Sequence, residues 1–106
     1  MNSFEIIWSN FAEKELDRIF KYYSEVASVS IAKKILHKLI SEPNKLLVNP
    51  NLGQREEFLM HRSVEYRYLI FKQFKLIYSV DFKKKWIKIA DVFDSRQNPQ
   101  KMKRNN

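Results

Sequence analysis

Cysteine is absent from this sequence and glycine occurs once, and these two shortages exclude several kinds of chemistry at the outset. Without cysteine there is no disulfide, no thiolate nucleophile and no thiolate metal site, a composition at home in a reducing compartment. A single glycine, Gly53, cannot furnish a Gly-rich phosphate loop, and no G-x-S-x-G nucleophile motif is present. No stretch approaches the roughly 18–20 apolar residues that a membrane span needs. The opening Met1-Asn2-Ser3-Phe4-Glu5 lacks the basic and then apolar pattern of a secretory leader, so the cytoplasm is the expected compartment and no membrane partner is expected. Histidine is scarce too. His37 and His61 have no carboxylate or second histidine at ligand spacing, and neither a metal nor a cofactor is expected.

What the chain does have is enough apolar surface for one core. Over 106 residues, 44% apolar and 14% aromatic side chains suffice without a metal or disulfide staple. The expected organisation is one domain over residues 1–99 and a basic, flexible tail over 100–106. The formal charge of +8 is unevenly spread: residues 1–54 carry seven basic and six acidic side chains, residues 55–106 thirteen and six. A field of that kind favours an acidic partner, either nucleic acid or an acidic protein.

Two periodicities divide the chain. Residues 3–8 read as a short strand, and Asn10 with Glu13 forms an N-x-x-E capping box, with Ser9 a competing cap one residue earlier. Ala12, Leu16, Ile19, Phe20 and Tyr23 then recur at helical spacing, and Ile31, Ala32, Ile35, Leu36, Leu39 and Ile40 form a second stripe after Ser28-Val29-Ser30. The helices should cover roughly residues 10–26 and 30–47 as an antiparallel hairpin, the second interrupted at Pro43. After the Asn49-Pro50-Asn51-Leu52-Gly53 loop the period becomes strand-like over residues 58–61, 66–71, 74–80 and 86–93. The order β-α-α-β-β-β-β predicts an α+β fold: an N-terminal strand, a helical hairpin, and a four-strand antiparallel meander with the helices on one face.

Several groups invite a functional reading beside a plainer one. Lys83-Lys84-Lys85 fits a phosphate-binding cluster and equally a solvated hairpin turn. Glu56-Glu57 offers a general base or an exposed acidic pair, and Tyr66, Tyr68, Phe71, Phe74 and Tyr78 offer base stacking or core packing. Arg67, Lys75 and Arg96 are the sharpest candidates, because a cation within or at the end of an apolar strand needs a reason. Arg67 and Lys75 share a sheet face if Phe71 pairs with Lys75 and oppose each other if Phe71 pairs with Phe74.

The ordered set of Trp8-Ser9-x-x-Ala12-x-x-x-Leu16-x-x-Ile19, Asn49-Pro50-x-Leu52-Gly53, Glu65-Tyr66-Arg67-Tyr68-Leu69-Ile70, Phe74-Lys75-Leu76-Ile77-Tyr78-Ser79-Val80 and Ile87-x-Ile89-x-x-Val92-Phe93-Asp94-x-Arg96-x-x-Pro99 resembles the RelE/ParE superfamily of toxins from bacterial type II toxin–antitoxin modules. The resemblance implies a growth-inhibiting toxin neutralised by a cognate acidic antitoxin. Lys101, Lys103 and Arg104 of the tail are then candidates for holding that partner, and the complex is a candidate for binding operator DNA. RelE-like members cut messenger RNA on the ribosome. By that likeness Arg67, Lys75 and Arg96 would be catalytic. Two positions depart from it: Leu69 stands where another lysine belongs, and the surroundings of Met102 offer no tyrosine or histidine for proton transfer. ParE-like members inhibit DNA gyrase instead and share the long helical hairpin. The ParE-like reading therefore leads, with an mRNA interferase as the alternative and a non-toxic binding module as a third.

Overall fold

The computed structural model describes residues 3–104, apart from the side chains of Lys103 and Arg104. Strand β1 (Glu5–Trp8) leads into helix α1 (Asn10–Val26), and helix α2 (Val29–Ser41) follows after a two-residue break. The start of α1 is fixed by Ser9, not by the Asn10 capping box: the Ser9 hydroxyl accepts from the Ala12 N–H at 3.0 Å and donates to the Ala90 carbonyl at 3.1 Å. One side chain thus caps the helix and ties it to the sheet. Ser28 caps α2 in the same way, through the Ile31 N–H at 3.1 Å. Pro43 ends the α-helical geometry as expected, and residues Glu42–Leu47 continue as a 3-10 helix.

Four strands follow the helices: β2 (Gln54–Arg55), β3 (Arg67–Phe71), β4 (Phe74–Asp81) and β5 (Trp86–Asp94). Two expectations need correction. The strand expected over residues 58–61 is replaced by a 3-10 helix at Glu57–Leu59, and the sheet is joined earlier by the short β2. The apolar run Phe58-Leu59-Met60 resembles a strand, yet only Leu59 is buried, as a plug rather than as a ladder residue. The sheet is also mixed, because β1 pairs in parallel with β5 in the order β1-β5-β4-β3-β2.

Ala12, Leu16, Leu39 and Leu46 bury against Leu76, Tyr78, Ile87 and Ile89 on one face of the sheet. Leu39 and Leu46 are fully buried, each worth on the order of 2 kcal/mol by area removed from water. The opposite face is covered as well. Leu59, Ile77, Phe93 and Met102 form a second cluster, and Met102 reaches it from a 3-10 helix at Pro99–Arg104. Within the segment read as a tail, the chain forms this 3-10 helix as far as Arg104, and Met102 is 3% exposed. Residues 105–106 lie outside the described residues. No helix among the described residues is long and apolar enough to cross a membrane.

Candidate functional site

The β3–β4 turn decides how the candidate cations relate. Its two residues are Lys72 and Gln73, with Lys72 in the left-handed region at φ 53°, so that Phe71 pairs with Phe74. Ser95 Oγ donates to the Gln73 carbonyl at 2.7 Å and Gln73 Nε2 donates to the Tyr23 hydroxyl at 2.6 Å, which holds this turn against both β5 and α1. In that register Arg67 lies opposite Tyr78 and Lys75 opposite Ile70, and the two cations project from opposite faces.

Each cation is engaged locally. The Arg67 Nη1 donates to the Gly53 carbonyl at 2.7 Å and the Asn51 carbonyl at 3.4 Å, while its Nε lies 2.8 Å from the Glu65 carboxylate. This guanidinium ties the 49–53 loop to the sheet. The loop is closed from beneath by Tyr78, whose hydroxyl accepts from the Gly53 N–H at 2.9 Å and donates to the Pro50 carbonyl at 2.8 Å. Burial raises the Tyr78 phenol above its ordinary value, against the hydrogen bond from Gly53 and the nearby Arg67 charge, which keeps it a donor.

Lys75 reaches Glu56 at 2.9 Å and stands 4.2 Å over the Tyr68 ring. Glu56 is only 2% exposed, and its second oxygen accepts from the Phe58 N–H at 3.1 Å. The Glu56-Glu57 pair is therefore divided: Glu57 is exposed, and Glu56 is the inward counter-charge of Lys75 that fixes the turn carrying Leu59. A lysine in an apolar strand was the signal that an acid had to be nearby; which of the neighbouring acids turns inward was not readable.

Arg96 grips its neighbour Asp94 through Nε at 3.0 Å and Nη2 at 2.7 Å. It lines an open cleft of about 280 Å³ with Arg18, Tyr22, Tyr23 and Gln97, which contains neither Arg67 nor Lys75. The Arg96 hydrogen bonds hold the Asp94 carboxyl below the usual carboxylate range, against its partial burial. A folded-state pKa lowered in this way stabilises the fold above the unfolded value of about 4, and the contribution is lost as pH falls through the lowered value. Arg96→Ala should leave the domain folded and raise the Asp94 midpoint, as followed by carboxylate NMR. An unmoved midpoint would show that the Asp94 shift has another origin.

The three cations thus occupy three separate environments. Cleavage of RNA needs a base, an acid and cations gathered on one phosphate, whereas these side chains act on a loop, a buried carboxylate and a strand end. Of the aromatic series, Phe74 and Tyr78 are buried, while Tyr66, Tyr68 and Phe71 are half-buried against the two clusters. His37 and His61 are exposed.

Residues 6–99 match the family model described as ParE toxin of type II toxin–antitoxin system, parDE. Among solved structures the fold is similar to that of a chain from a chromosomal ParDE toxin–antitoxin system of P. aeruginosa, with a TM-score of 0.71 and 19% identity. The likeness covers 87% of this chain and 96% of that one. No curated protein matches its sequence at a significant level. With a family match running from the first strand to the end of the sheet, the chain belongs to the ParE toxin family of type II toxin–antitoxin systems.

Proposed function

We propose that this chain is the growth-inhibiting toxin of its module, that its target is DNA gyrase, and that a cognate acidic antitoxin neutralises it. The family match over residues 6–99 carries the reading. The dispersal of Arg67, Lys75 and Arg96 supports gyrase over messenger RNA, since each is held by a neighbouring acid and Arg67 and Lys75 face opposite ways. Inhibition of a large enzyme by a small protein requires a binding surface rather than a reaction centre, and this chain offers a basic C-terminal half on a rigid sheet. The antitoxin is read as an acidic segment lying along the basic end of the molecule as a helix in a groove or as an added strand. Lys101, Lys103 and Arg104, on the 3-10 helix that carries the buried Met102, are read as the residues that meet it.

Inducing the gene in bacteria, alone and together with any small acidic reading frame found beside it, tests the proposal. Growth arrest with relaxed plasmid DNA and an SOS response, relieved by the neighbour, is the expected result. Prompt translation arrest with messages cut in the ribosomal A site would transfer the activity to RNA. Normal growth would remove the toxin reading.

A further inference from the structure

We infer that the tip of the β4–β5 hairpin binds single-stranded nucleic acid, with lysines on the phosphates and an unstacked base on Phe82. This surface lies at the opposite end of β4 from Phe74, which lines the Arg96 cleft, and the inference does not depend on the toxin's target. The turn is built by Asp81, whose Oδ1 accepts from the N–H groups of Lys83 at 3.1 Å and Lys84 at 3.0 Å. The hydrogen bond from Lys84 is the leading cause that lowers the Asp81 pKa; desolvation opposes it, and the bond from Lys83 adds to the lowering. Four lysines, Lys83, Lys84, Lys85 and Lys88, stand on this turn and the strand leaving it, against Asp81 and the neighbouring-strand Glu5.

Two of these lysines rest on aromatic rings. Lys84 Nζ lies 4.6 Å over Trp86 and Lys85 Nζ lies 4.8 Å over Phe4. The ring of Phe82 meets Phe4 edge-on, with centroids 5.9 Å apart and planes at 87°, and Phe82 is 56% exposed. Phe82 thus packs on Phe4 and still keeps more than half of its surface exposed. A groove of about 350 Å³ runs beside it, bordered by Val64, Ser79, Lys83 and Lys88 and by the Asp81 carboxylate that builds the turn.

Lys85 sits in the left-handed region at φ 60°, as Lys72 does at φ 53° in the β3–β4 turn, so it is the side chains and not the backbone that distinguish this turn. Phe82 leaves much of its ring in water despite its contact with Phe4. Cations around an open aromatic face are, however, the combination that holds single strands, charge tracking the backbone and the ring receiving a base. An acidic peptide would satisfy the lysines and leave the ring face without a stacking partner. The contacts are to phosphate and to the π-face that every base has, so the surface should be tolerant of sequence.

The test uses the full chain and fluorescence anisotropy of labelled oligothymidylate, oligouridylate and duplex DNA of about 15 nucleotides, titrated between about 50 and 200 mM salt. The chain should bind the single strands more tightly than the duplex, and binding of either thymidylate or uridylate supports the surface. Phe82→Ala should weaken single-strand binding about tenfold and leave duplex binding unchanged. The variant K83Q/K84Q/K85N, with asparagine chosen to suit the left-handed position, should lower the salt slope by about 2. A charge-matched tail variant, K101Q/K103Q/R104Q, should lower it far less. Equal losses in the two triple variants would mean that net charge alone is sensed and would overturn the inference. Indifference to Phe82→Ala, or tighter capture of polyglutamate than of oligothymidylate, would also overturn it. Circular dichroism confirms that each variant is folded, and in a Trp8→Phe background the emission of the remaining Trp86 provides a second readout of single-strand binding in the Phe82→Ala variant.

Discussion

Gly53→Ala should cost the fold about 3 kcal/mol, seen as a fall in Tm on the order of 10–20 °C for a domain of this size. The cause is space rather than backbone torsion, since Gly53 does not have a positive φ. A Cβ added there would sit 2.6 Å from the Tyr68 carbonyl oxygen and 2.7 Å from both Cε1 and the hydroxyl of Tyr78. Neither wall can retreat easily. The Tyr68 backbone is paired with Gln54 in the sheet, and the fully buried Tyr78 ring is held by the loop bonds that its own hydroxyl makes. Relieving the clash would pull the Gly53 N–H off that hydroxyl and disturb the carbonyl that Arg67 grips. Leu52→Ala, at an exposed neighbouring position, should change Tm little. Similar losses for both substitutions would show that the loop tolerates a side chain at Gly53 and that the clash is not the cause.

Lys75→Met should be nearly as damaging, at about 2–3 kcal/mol, because it leaves the buried Glu56 without its counter-charge. The figure is set below the range for wholly buried pairs because the Lys75 side chain is 21% exposed. The informative comparison is the double variant E56Q/K75M. Glutamine keeps an acceptor for the Phe58 N–H, methionine keeps the contact with Tyr68, and most of the lost stability should return. Urea denaturation measures all three chains. A double variant no more stable than Lys75→Met would mean that the pair contributes through something other than mutual neutralisation. The same double variant separates structure from activity: folded and still toxic, it excludes a catalytic Lys75; folded and harmless, it restores that residue as a candidate.

Much of the architecture could be read from the sequence because it rests on local signals. The switch from helical to alternating spacing after residue 53, the interruption at Pro43 and the short connection at Lys72-Gln73 each act over a few residues. What escaped depends on contacts between distant segments. Nothing near Glu5–Trp8 announces parallel pairing with a strand some eighty residues later. Phe58-Leu59-Met60 has the composition of a strand, and only the apolar hole beneath Ile77 and Phe93 explains why a short helix delivers Leu59 instead. Met102 looked like part of a polar tail for the same reason. The cations were identified as unusual, but their work was not. Strand register, with side chains alternating at every residue, decided that Arg67 and Lys75 face opposite ways. No composition or spacing rule could reveal that Arg67 supports a loop or that Glu56 turns inward to Lys75.

The most direct measurement is DNA supercoiling by purified gyrase with increasing amounts of this chain, run beside a cell-free translation reaction receiving the same amounts. Supercoiling should fall with the chain's concentration, Arg96→Ala should inhibit as well as the unaltered protein, and messages should stay intact. Undiminished supercoiling together with A-site cleavage that Arg67→Ala or Arg96→Ala abolishes, in variants that remain folded, would contradict the proposal and make these cations a reaction centre.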